Sequence, residues 1–159
     1  MGGFFLPPEN NQIQGEGYLA VRTVIELTRT MDLLEDLLAR HLAHFNLSQP
    51  KFNALMELYY AGEEGLPLSE LGERMLVSRA NITGLIDRLQ RDGLVVRAVD
   101  PKDRRVIRAQ LTPRAVQLIH GVLPLHMNLL KQATASLNPE EKETLIRLLT
   151  KLQEGLEKL

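Results

Sequence analysis

The feature that most narrows the fold is a change of period at Gly93. Upstream of it, Leu68 to Met75 and Ser78 to about Asp92 space their apolar residues as short helices with a brief break between them, the pattern of a helix-turn-helix. Downstream, LVVRAV is rich in β-branched residues, DPKDRR is a polar turn around Pro101, and VIRAQL resumes extended alternation. A hairpin therefore follows the second helix directly, and the remainder of the chain must supply the core against which these small elements pack.

That remainder reads as helix. From Tyr18 to Phe45, Leu27, Met31, Leu34, Leu38, Leu42 and Phe45 recur at helical spacing with no Gly or Pro among them, and Ser48 then caps a second helix carried by Phe52, Leu55, Met56 and Tyr59 that stops near Gly62. Thr112 before Pro113 opens a fifth helix, which Gly121 and Pro124 are expected to kink. Asn138, Pro139, Glu140 and Glu141 open a sixth, with acids at its positive end. Leu145, Leu148, Leu149, Leu152, Leu156 and Leu159 alternate threes and fours along it, a seam that wants a partner helix.

The predicted fold is mainly α with a small β-hairpin wing: a winged helix-turn-helix plus a helical dimerisation region, in the order α1-α2-α3-α4-wing-α5-α6. The expected divisions are a flexible tail over 1–16, a helical region over 17–47 and 113–159, and the winged helix-turn-helix domain over 48–112. The opening MGGFFLPPENNQIQGEG has neither the basic start nor the apolar run of a signal peptide, and no stretch is long enough to span a bilayer. A cytoplasmic location with no membrane partner is the expectation. With no cysteine in the chain, disulfides, thiolate metal sites and a cysteine-based redox switch are excluded.

Net charge is −1, but its distribution is uneven: residues 69–114 hold ten Lys and Arg against six Asp and Glu, and the rest holds nine against fourteen. A basic middle within acidic flanks is the footprint of a local phosphate-binding surface. On the fourth helix Ile82, Leu85, Ile86 and Leu89 share one side. The opposite arc carries Ala80, Thr83, Gly84, Asp87 and Arg91, bordered by Arg79, Asn81 and Arg88. Small residues near the helix start let its backbone sit deep in a major groove, where Arg and Asn read guanine and adenine edges; Arg79, Asn81 and Thr83 are assigned to bases, with Ser78, Arg88 and Arg91 beside them. Taken alone, such a helix is equally a solvated amphipathic surface. The hairpin shifts the balance, because Arg97, Lys102, Arg104, Arg105 and Arg108 surround its turn, where an arginine can enter a narrow, strongly negative minor groove. Asp100 and Asp103 oppose this unless they orient the arginines.

The segment DGLVVRAVDPKDRRVIRAQLTPRA resembles the MarR (multiple antibiotic resistance regulator) family: the Gly-Leu-Val start, the Asp-x-Arg tip and the closing Leu-Thr-Pro stand at that family's spacing, and the similarity runs from about residue 18 onward. The resemblance implies that Asp103 buttresses Arg105 by a salt bridge, that Arg105 probes the minor groove and that Arg104 meets phosphate. It also implies a homodimer built from the first and the last two helices, which the leucine seam suggests independently, reading a pseudopalindromic operator. Family members often bind small anionic or phenolic effectors between dimerisation helices and DNA-binding lobe; by resemblance Tyr18, His41, His44, Phe45, Met56 and Tyr59 are candidates for such a pocket.

The function expected is thus sequence-specific transcriptional regulation, a repressor released by a small effector. The alternative is a winged-helix interaction module whose basic face docks an acidic protein. His41 and His44, three apart on a helix, have the spacing of metal ligands or of a pH sensor, with His120 and His126 further on; no converging ligand set is visible, so ordinary helix histidines are preferred, with no metal and no cofactor. No Ser-His-Asp signature or Gly-rich phosphate loop marks an enzyme.

Overall fold

A computed structural model describes residues 15–159; the flexible tail expected over 1–16 lies, up to residue 14, outside the described residues. The chain divides into two compact units, Met1–Gln49 and Pro50–Leu159. The described part of the first is helix α1 (Glu16–Ala43) and the turn that ends it. Its last turn carries Arg40, a cation suited to the negative end of a helix. Ile25, Leu42 and Leu47 are buried, whereas Leu19, Met31 and Leu33 are exposed.

The second unit contains α2 (Gln49–Ala61, entering from the last residue of the first), β1 (Leu66–Pro67), α3 (Leu68–Arg74), α4 (Arg79–Arg91), β2 (Val95–Val99), β3 (Ile107–Leu111), α5 (Pro113–Ala133) and α6 (Pro139–Leu156). Its core gathers the faces that helical and strand periodicity single out: Leu55 and Leu58 from α2, Leu71 from α3, Ile82, Leu85, Ile86 and Leu89 from α4, Val95 and Ala109 from the hairpin, Ile119 and Val122 from α5. Burial of each large side chain of this set stabilises the fold by about 1.5–3 kcal/mol. Three of the expected caps form. Ser78, Thr112 and Asn138 accept from the backbone N–H groups of Asn81, Ala115 and Glu141, and Glu141 closes a capping box on Asn138. Helix α5 is continuous through Gly121 and Pro124.

The sheet has one strand more than the hairpin anticipated from sequence. β1 pairs antiparallel with β3 (Leu66 with Ala109, Pro67 with Arg108), giving the order β1-β3-β2. Two residues of Leu-Pro carry no alternation, so this strand has no sequence signal; it exists because Gly65 brings the backbone against β3. Gly65 has φ +62°, and a Cβ there would stand 1.9 Å from the carbonyl oxygen of Ala109. Three helices end in the same turn, the Schellman motif, with its left-handed position held by Asn46 (φ 56°), Leu76 (φ 54°) and Gly93 (φ 72°). In the second of these, Leu76 N–H donates to Glu73 O and Val77 N–H to Gly72 O.

Helix α6 buries none of its residues: Leu145, Leu148, Leu152 and Leu156 are all exposed in this single chain. Among the described residues no helix is long and apolar enough to cross a membrane.

The contrast between two turn glycines is measurable. Gly62 also has positive φ but open space around it, so Gly62→Ala should cost only the left-handed penalty, about 1 kcal/mol. Gly65→Ala must in addition push β1 off β3, and about 2–3 kcal/mol or more is expected. Denaturant unfolding of the two variants compares them directly; equal midpoints would contradict the close approach at Gly65.

Candidate nucleic-acid interface

The recognition-helix candidates stand where the sequence puts them. Arg79, Asn81, Thr83, Arg88 and Arg91 are exposed on α4, opposite its buried Ile82, Leu85, Ile86 and Leu89. Ser78 is exposed and spends an oxygen lone pair on the cap, keeping a hydroxyl proton to donate. Thr83 donates its hydroxyl to Arg79 O at 2.8 Å, which leaves its methyl and a lone pair for other contacts.

The wing sorts its charges into two classes. Five cations surround the turn, and two of them are held inward. Arg108 is only 17% exposed: it donates to Asp100 Oδ2 at 2.7 Å, to Glu64 O at 2.9 Å and to Gly65 O at 2.8 Å. Arg97 lies across the outward arc of α4, donating to Asp87 Oδ1 at 2.6 Å, to Gln90 Oε1 at 3.2 Å and, at a looser 3.4 Å, to Thr83 O. Neighbouring anions and carbonyls capture both guanidinium groups, which fasten the wing to the rest of the unit. Asp87, placed on the groove-facing arc by periodicity, is spent on the same strut.

At the tip the geometry is different. Asp103 Oδ1 accepts from Arg105 N–H and Nε, and Oδ2 accepts from Nη2, all at 2.9–3.0 Å, while the Arg105 side chain stays 90% exposed. The carboxylate therefore holds the guanidinium by one edge and leaves the other edge open. Asp100 shapes the turn beneath: its Oδ1 accepts from the N–H groups of Lys102 and Asp103. Hydrogen bonds from Arg108 and from the backbone of Lys102 and Asp103 hold the Asp100 carboxyl below the usual carboxylate range, and the Arg105 side chain and backbone do the same for Asp103. In return Asp103 raises the Arg105 guanidinium further above its already high value. Because both carboxyls are depressed, their bonds are complete at every pH above the ordinary carboxylate range and fail only in stronger acid.

An open cleft of about 930 Å³ lies between α4 and the wing. Arg79 and Thr83 of α4 form one side and Arg105, Val106 and Ile107 of the wing another, with Ser69 and Glu73 of α3 and the turn residue Leu76 closing it. Ser69, Glu73 and Leu76 were not among the sequence candidates; they come from α3 and the turn that follows it, and no local signal sets them apart. Asn81, Arg88, Lys102 and Arg104 are exposed outside this cleft, and Arg91 borders a second, shallower hollow with Asp87, Gln90 and Arg97. Among the described residues Arg79, Arg88, Arg91, Lys102 and Arg104 form no ion pair.

The effector candidates fall in both units. In the first, Tyr18 lies under Arg22 at 5.9 Å, His41 packs edge-on to Phe45 at 5.4 Å, and His44 is exposed. In the second, Met56 is half-buried and Tyr59 shares a hydrogen bond of 3.0 Å with His120, a partner the sequence did not suggest. Among the described residues no three His, Asp or Glu side chains converge as a metal set would.

Comparison with known proteins places this geometry. The MarR family model matches residues 47–107. The transcriptional repressor YetL of Bacillus subtilis is 33% identical over 77% of this chain and 74% of its own length. Among solved structures, the organohalide-sensing RdhR-CbdbA1625 transcriptional regulator in its 2,4-dichlorophenol-bound form is 27% identical with a TM-score of 0.79, covering 96% of this chain and 87% of its own. Sco3205, a MarR family regulator of Streptomyces coelicolor in complex with DNA, is 27% identical with a TM-score of 0.77, covering 94% and 93%. The chain belongs to the MarR family of DNA-binding transcriptional regulators.

Proposed function

We propose that this regulator is a cytoplasmic homodimeric repressor that grips a pseudopalindromic operator with two recognition helices and two wings and releases it when a small phenolic or anionic effector binds. The observation that carries the reading is Arg105: a guanidinium clamped along one edge by Asp103, otherwise bare, facing the same cleft as Arg79 and Thr83. A recognition helix and a wing tip that flank one cleft suit adjacent grooves of a duplex. In this reading Arg79, Asn81 and Thr83 meet base edges, Arg105 enters the minor groove, and Ser78, Arg88, Arg91, Lys102 and Arg104 meet the sugar-phosphate strands.

Two copies are required to place two such clefts along one face of DNA. The exposed leucine row of α6 supports that assembly, since an apolar stripe along a whole helix gains stability only against a partner surface. The effector reading is supported by the relative that carries 2,4-dichlorophenol. Here the half-buried Met56 offers an apolar contact, and Tyr59 with its His120 partner offers groups able to hydrogen-bond a phenolic hydroxyl; Tyr18, His41, His44 and Phe45 remain candidates.

Arg105→Ala should weaken operator binding about 10- to 100-fold. Asp103→Asn should weaken it less, because the guanidinium survives but is no longer held. Fluorescence anisotropy on an operator selected from random DNA measures both, and wild-type affinity in the Arg105 variant would remove the wing from the mechanism. For the intact protein, log affinity should fall linearly with log salt. Replacing Leu148 by Glu should yield monomers in sedimentation and abolish tight operator binding; a variant still dimeric would exclude the α6 seam. Chlorinated phenols should raise the melting temperature and lower operator affinity together, and Tyr59→Phe should reduce both responses. If no phenol or small carboxylate shifts either quantity, the effector class is wrong.

A further inference from the structure

Leu76 occupies a position that the fold gives no reason to fill with leucine. Of the three Schellman turns, two place Asn46 and Gly93 at the left-handed residue, the types that tolerate it. The third places a leucine at φ 54°, a conformation in which its Cβ is crowded by the backbone. Nor does packing repay this, for the side chain is 93% exposed. The apolar contact that usually accompanies such a turn belongs to the following residue, here the half-buried Val77. Conformation, packing and turn chemistry would all be better served by Gly or Asn.

What Leu76 does have is location. It lines the cleft that Arg79, Thr83 and Arg105 also line, and it shares its wall with Glu73. That pairing discriminates between the parts of a DNA strand. A carboxylate beside an apolar side chain repels phosphate, so this wall does not suit the anionic ridge. It does suit the base edges of a major groove, where the one apolar group displayed is the thymine C5-methyl. Resting on the reading of this cleft as the DNA site, we infer that Leu76 is a specificity-determining residue that packs against a thymine methyl in each half-site, adding apolar readout to the polar readout of Arg79 and Thr83.

The test uses the full-length protein, an operator selected from random DNA, and that operator with each thymine replaced in turn by deoxyuridine, which removes only the methyl. Wild type should lose about fourfold in affinity at one position per half-site, the effect of withdrawing a single methyl from apolar contact. Leu76→Gly and Leu76→Asn should bind the unmodified operator about tenfold more weakly, be indifferent to that one methyl, and melt no lower than wild type, since both suit the left-handed turn better. Unchanged affinity in both variants overturns the inference and leaves the cleft reading intact. Weakened binding with the wild-type uridine profile also overturns it, because the leucine then touches something other than the methyl. If neither Arg79→Ala nor Arg105→Ala weakens the operator complex, the cleft reading itself falls, and this inference with it.

Discussion

The wing depends on one ion pair. Asp100 and Arg108 face each other at 2.7 Å with only 12% and 17% of their side chains exposed, and each has further partners that extend its influence. The carboxylate collects the N–H groups of Lys102 and Asp103 and so dictates the path of the turn. The guanidinium collects the carbonyls of Glu64 and Gly65 and so binds β3 to the segment leading into β1. Removing either partner would strand a charge among carbonyls or amides arranged for it. The exposed Asp103 and Arg105 pair is built on the turn this arrangement defines, and a probe at a hairpin tip is only as well placed as the turn that carries it.

A division of labour among like charges follows. The basic stretch holds ten cations, yet Arg74, Arg97 and Arg108 are engaged by Glu70, Asp87 and Asp100 within the unit. Their acidic partners are half of the acids in the same stretch, so pairing leaves its net positive charge unchanged and concentrates that excess on the cations that stay unpaired. Arg97 and Arg105 are chemically identical and lie on one hairpin. The first reaches a helix carboxylate and becomes a strut, while the second is held by a carboxylate two residues away and stays in solvent. Position relative to acids, rather than residue type, decides which arginine faces outward.

Much of the architecture was legible because it rests on local physics. The caps at Ser78, Thr112 and Asn138, the stop at Gly93 and the switch of period beyond it each depend on a few adjacent residues, and each appears in the structure as expected. The Asp103–Arg105 pairing at the tip was legible through the family resemblance, since from the residues alone Asp103 could equally oppose the cations of the turn as orient one of them. β1 was not, because a two-residue strand has no period and forms only where Gly65 allows a distant segment to approach. Leu76 was not, because a left-handed exposed leucine looks, in the sequence, like any apolar residue between two helices.

From the order of its amino acids alone this chain determined its helices, its hairpin, the buried face of α4 and the basic character of the region around them, for all of these are set by spacing and by contacts within a few residues. Only tertiary structure decided which arginines are spent on holding the wing, which side chains share a cleft with Arg105, and that Tyr59 finds His120 sixty-one residues away. Those outcomes turn on whether an oppositely charged or hydrogen-bonding group arrives from another part of the chain, and no local pattern records such an arrival.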